Sequence, residues 1–330
     1  MTIPSFKLMK SRAAERLRAS ENAGRVTAVF AGATAGLMAL SAVVTYGLGL
    51  KISQTGGLSN MGLRSVLSTV QSVLPMVVSM IVMCLELGYL AAMLRVSREQ
   101  YVSQQTLKLG FSRFWVLFRC RILQSLMYSG AGFVAFWVAM QIYLFTPLSQ
   151  KAQTLLMPYL SDANAVLAVL ADEALMMQIV KAMIPMFVLT AVLFLPLAAM
   201  LYYSMRMTDY VIIDQPGRGA LYAIGESRKM TKGSRMRLFR LDLSFWWWYV
   251  ISLLTVLVCY GEEILAALGI SLSLPKDAGY FLFMGAYLVL QFVTWYFLRS
   301  RVEVVYAQAY DALKPRQSSD GVVLGNIFQM

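Results

Sequence analysis

Six apolar runs alternate along the chain with short polar segments: Val26 to Leu50, Ser65 to Leu94, Ile122 to Thr146, Ala174 to Tyr203, Leu243 to Gly261 and Ala278 to Leu298. At 1.5 Å of rise per residue, about 20 apolar residues cross the hydrocarbon layer of a bilayer. Each run therefore predicts a membrane-spanning helix, and together they predict an all-α, polytopic membrane protein with six transmembrane helices. The organisation that follows is a basic amphipathic segment at 1–25, a six-helix membrane domain at 26–313 and a polar tail at 314–330. The core of a cleaved signal peptide is the competing reading of the first run. That run is about twice the usual length of such a core, which favours a retained helix.

The polar segments differ in charge. Residues 1–25, 95–121, 206–240 and 299–330 hold 6, 6, 8 and 4 Lys plus Arg, while the three segments between them hold 2, 1 and 1. Positive residues stay on the cytoplasmic side, so both termini are expected in the cytoplasm. The densest basic stretch carries Arg228, Lys229, Lys232, Arg235, Arg237 and Arg240 and runs straight into Trp246 to Trp248. Indole rings favour the headgroup level, so these six side chains are candidate contacts for anionic lipid. The stretch from Gln104 to Phe118 mixes apolar and basic residues and predicts a helix lying along the interface. Glu262 and Glu263 read as an external rim, followed by an apolar segment along the outer interface.

Composition supports lipid as the solvent. Hydrophobic residues make up 58% of the chain, charged residues 14%, and the mean hydropathy is +0.62. The net charge of +12 is clustered between apolar spans, which points to anionic inner-leaflet lipid and away from nucleic acid. Three cysteines, one in or beside each of three spans, give no disulfide framework. With no histidine, the commonest catalytic base and metal ligand is absent. Neither a nucleophile elbow, a phosphate-binding loop nor a zinc-ligand spacing occurs, so no catalytic residues, no cofactor and no metal are expected.

Candidate chemistry rests on polar groups within the spans. Glu86 is the one acidic residue well inside a run, where an ionisable group costs about 2.5–3.5 kcal/mol. Ser72, Ser79 and Glu86 fall at intervals of seven, which predicts one polar stripe directed into the helix bundle. Counted from the basic ends, Glu86, Tyr128 and Gln291 share a similar depth and define a candidate hydrogen-bonded cluster. Two roles are open to Glu86: a substrate or proton site, or a neutral structural acid bonded between helices. Small residues at Ala28, Gly32, Gly36 and Ala39, and at Ala131, Ala135 and Ala139, are candidate helix contacts, within the chain or between copies.

One resemblance adds to this reading. Asp214-Gln-Pro216, Ala223-Ile224, Ser227, Met230, Lys232-Gly233, Phe239 and Leu241 to Phe245, with the closing Val302 to Leu313, resemble the bacterial integral-membrane family called domain of unknown function 975. The chain departs from the family's Pro-Tyr before the last span, having Pro275-Lys276. The resemblance implies a bacterial cytoplasmic-membrane protein, distantly similar in plan to the membrane domain attached to some glycerophosphodiester phosphodiesterases. It implies no activity and no catalytic residue. The expectation is a non-enzymatic membrane partner or organiser, with a membrane protein or a second copy as its partner; the alternative is a small-solute or lipid transporter working through the face around Glu86.

Overall fold

Lipid gives backbone amides no hydrogen-bond partner, so an apolar run must close its own ladder, and here the runs do so as helices. The structure, a computed structural model, describes residues 5–55, 61–156, 173–261, 264–265, 269 and 276–314. Among these, all regular structure is helical. Five helices are long and apolar enough to cross a membrane, and a bent pair makes up to six. Glu262, Glu263, most of the segment after them and the tail from residue 315 lie outside the described residues.

The chain forms two compact units. The first comprises 1–118 with 207–330, the second 119–206. In the first, α1 (Phe6–Ala19) leads to α2 (Ala23–Gln54) and α3 (Met61–Ser97). At 37 residues, α3 is about 55 Å long and overshoots the bilayer core. Its two halves differ accordingly. Residues from Leu87 to Leu94 are buried, whereas Val66, Val70, Val73 and Met76 lie exposed as lipid-facing residues do. The packed core of this unit therefore sits at the basic end of its helices, beneath α1 and against α8 (Thr208–Asp214) and α13 (Ser300–Leu313).

Close backbone approach sets the next element. The stretch from Gln104 to Phe118 is not one interfacial helix: it divides into a 3-10 turn (Gln104–Lys108), a single turn α4 (Leu109–Ser112) and the start of α5 (Phe114–Leu144). Both short elements lie against α3. A Cβ on Gly88 would stand 2.2 Å from the carbonyl oxygen of Leu107, and one on Gly110 1.8 Å from that of Cys84. The segment is folded onto α3 through two glycines, and the burial of Thr106 and Leu107 follows.

At its glycines the small-residue stripe on α2 makes no contact within the chain, so of the two expected contacts only one between copies is left to it. Gly32 and Gly36 are exposed, and a Cβ on either would meet nothing within 4 Å. The face of α2 that packs is Val26, Phe30, Ala31 and Thr34. Large and β-branched side chains supply the contact there, and Thr34 satisfies its hydroxyl on the Phe30 carbonyl of its own helix at 2.7 Å.

The fifth apolar run also departs from a single rod. Helix α9 (Ala220–Thr231) is followed by α10 (Arg235–Leu243), which meets α11 (Trp246–Cys259) at a 64° bend. Alone, α11 is about 21 Å long, shorter than the hydrocarbon core. Lys10 on α1 holds the bend: its Nζ donates to the Ser244 carbonyl at 2.6 Å and lies 4.3 Å from the centre of the Phe245 ring. Burial lowers the Lys10 ammonium pKa. The last long helix begins as α12 (Lys276–Thr294) and continues through a π-turn, Trp295–Arg299, into α13.

The second unit contains most of α5, with α6 (Pro147–Leu156) and α7 (Glu173–Met205). Ala135 and Ala139 of its stripe are buried, and Gly132 leaves room for the Phe194 ring. Tyr143 donates its hydroxyl to the Ala182 carbonyl at 2.8 Å, beside Pro185, where the helix ladder is interrupted.

Candidate functional site

Trp295, Arg299 and Glu303 are spaced by four, so a helix presents them along one side. The π-turn between Trp295 and Arg299 holds more backbone per turn than an α-helix and changes which face of the continuing helix points inward. It turns Arg299 towards α2 and α3. The guanidinium lies 4.9 Å from the centre of the Trp295 ring, 5.1 Å from Phe30 and 5.8 Å from Tyr89. Phe30 and Tyr89 stack at 4.3 Å, and Phe30 and Trp295 at 5.5 Å. Arginine suits such a box because its planar, weakly hydrated head stacks on ring faces while its edge still donates.

Two carboxylates meet that edge. Arg299 Nη2 donates to Glu86 Oε1 at 3.0 Å, and Nε lies 3.6 Å from Glu303 Oε1. The Arg299 side chain is 13% exposed and that of Glu303 10%, whereas Glu86 keeps 32%. Pairing offsets the cost of burying either charge, and the rings keep water from competing for the guanidinium.

The network extends outward along α13. Tyr210 on α8 donates to Glu303 Oε2 at 3.3 Å and stacks on Tyr310 at 5.4 Å. Tyr310 donates to Asp214 Oδ2 at 3.1 Å, as does Lys314 at 2.5 Å. From the end of α3, Arg98 grips two acids: Nη1 reaches Asp214 Oδ1 at 2.8 Å and Nη2 reaches Asp311 Oδ1 at 2.6 Å. Hydrogen bonds from Arg98 to Asp311 raise its pKa above the ordinary arginine value; burial works against this and Asp214 adds to it. The arrangement locks α2, α3, α8 and α13 to one another by charge and by aromatic faces.

Of the sequence candidates, Glu86 is placed in this network and its partner is Arg299. Ser72 and Ser79 do not continue a buried stripe with it: both are exposed, and their hydroxyls donate to the Ser68 and Pro75 carbonyls of their own helix at 2.9 and 2.8 Å. The seven-residue spacing does share a face, but the half of α3 that begins at Met61 packs less than the half that ends at Ser97. Gln291 is half-buried on α12 in the first unit, and Tyr128 belongs to the second. Arg299, counted from sequence as a marker of the basic end, points inward instead. The signal that identifies it is the spacing of Trp295, Arg299 and Glu303, which a count of charges ignores. On the basic hairpin, Arg228, Lys229, Lys232, Arg237 and Arg240 are exposed and Arg235 is half-buried.

Comparison with known proteins gives one match. The family model described as protein of unknown function (DUF975) covers residues 31–310. The chain belongs to that family. No curated protein and no solved structure matches it. The DUF975 motif residues have structural places here. Asp214 of the Asp-x-Pro motif and Tyr310 and Asp311 of the closing segment meet in the Arg98 knot. Ala223, Ile224 and Ser227 are buried along α9, Gly233 turns the chain at φ +83°, and Ser244 and Phe245 form the bend held by Lys10.

Proposed function

We propose that the protein spans the bacterial plasma membrane six times with both termini in the cytoplasm. It acts there without catalysis, as a partner or organiser of a membrane protein or of a second copy, with the hairpin 228–240 resting on anionic inner-leaflet lipid. The observation that carries this reading is the state of Glu86. The acid that the apolar run makes expensive is held by an arginine enclosed between three rings, so its polarity serves helix–helix attachment. The five long helices and the bent pair support six crossings, and the exposed basic side chains of the hairpin support the lipid contact.

Transport of a small solute or lipid is the second reading, favoured by the 32% of the Glu86 side chain that remains exposed. Purified protein in proteoliposomes is expected to give the same ion and solute fluxes with Glu86→Gln as without it; a flux that disappears with this variant would support transport. For topology, an epitope tag inserted at the exposed Gly233 turn is expected to react with antibody only after the cells are permeabilised. Reaction on intact cells would reverse the orientation.

A further inference from the structure

We infer that the cleft between the opening turn of α5 and the turn after α8 binds the phosphate group of one anionic phospholipid. The cleft encloses about 340 Å³ and is lined by Ser112, Arg113, Val116, Pro216, Gly217 and Arg218, together with the end of α8. Among the described residues, none that lines it is acidic. Asp214, the nearest carboxylate in sequence, is occupied by Arg98, Tyr310 and Lys314.

Both guanidiniums are positioned before any ligand arrives. Arg113 Nη1 donates to the Ile212 carbonyl, and its other donors have no partner among the described residues. Arg218 lies 5.1 Å from the centre of the Tyr222 ring, and its guanidinium makes no ion pair among the described residues. The turn that presents Arg218 depends on Gly217 at φ +92°, a conformation that side chains disfavour. Two uncompensated positive heads beside the positive end of a 31-residue helix dipole select an anion, and the forked donors of arginine match phosphate oxygens.

Lipid is the source that the surroundings favour. Phe111 and Trp115, next in sequence to Ser112 and Val116, are large and exposed, at 47% and 66%. They offer acyl and glycerol carbons a surface at the start of an apolar helix, where headgroups lie. The proposal deepens the anionic-lipid part of the reading above by assigning one lipid to one cleft, separate from the diffuse contact of the hairpin.

The test is native mass spectrometry of the full-length protein released from detergent micelles, with phosphatidylglycerol or phosphatidylcholine titrated in. The unaltered protein is expected to hold one phosphatidylglycerol about tenfold more tightly than phosphatidylcholine, and Arg218→Gln is expected to remove that preference. Arg113→Lys, which can still bond Ile212, serves as the second variant and is expected to weaken it. Arg237→Gln with Arg240→Gln is expected to leave the single tight lipid in place while lowering general adsorption to anionic vesicles. Equal retention by the unaltered protein and Arg218→Gln would overturn the site. Binding of inorganic phosphate alone at least as tightly as phosphatidylglycerol would reassign the site to a soluble anion and overturn the lipid source. Tight binding of one lipid with no general preference for anionic vesicles would sink the wider hairpin reading alone.

Discussion

Arg299→Met is expected to destabilise the protein by about 3–5 kcal/mol, the range found when one partner of a buried ion pair is removed and the other charge is left behind. Here two acids are left, Glu86 and Glu303, and the second lies almost wholly inside the unit. Methionine fills much of the same volume, so the loss reports the charge and not a cavity. Arg299→Lys is expected to fall between the two, because an ammonium keeps the charge and loses the planar stack on Phe30, Tyr89 and Trp295. Thermal unfolding of the purified protein in one detergent measures all three. A loss below about 1 kcal/mol for Arg299→Met would mean that the two acids find other partners.

Gly110→Ala is the second large effect. A methyl group 1.8 Å from a backbone oxygen cannot be accommodated by rotating a side chain, so α4 must leave α3. The expected cost is about 3 kcal/mol or more, at the upper end of overpacking, and Gly88→Ala is expected to behave alike. Gly32→Ala provides the contrast. It adds a Cβ in open space on α2, and helix propensity predicts a gain of up to about 1 kcal/mol. Expression with retained monodisperse elution, followed by thermal unfolding, separates these outcomes. Tolerance of Gly110→Ala together with damage from Gly32→Ala would show that the stripe on α2 is the real contact.

These glycines mark where the sequence was legible and where it was not. The long helices follow from run length alone, because lipid leaves a backbone little choice. Contact faces do not follow so directly. Glycine at intervals of four permits close approach but does not require it, and on α2 the neighbours arrive at Phe30 and Thr34 instead. Gly88 and Gly110 are lone glycines whose partners are distant backbone atoms, so no local pattern announces them. The bend at Ser244 and Phe245 depends on Lys10, more than 200 positions away, and local hydropathy reads straight through it.

The site divides in the same way. Glu86 stands out because a charge inside an apolar run needs compensation. Its partner was hidden because Arg299 sits at the end of a run, where a positive residue already has an explanation in topology. The Asp-x-Pro motif and the closing segment looked separate in sequence. Arg98, which belongs to neither, brings them together. Long-range pairing of this kind is carried by geometry, and a single sequence holds only its two ends.

A double-mutant cycle on Glu86→Gln and Arg299→Met, read by thermal unfolding, tests most directly whether this pair is the attachment between α3 and the last helix. The two losses are expected to fall short of additivity by about 1.5–3 kcal/mol. Additivity within about 0.5 kcal/mol would show that the two side chains act independently and would contradict the account.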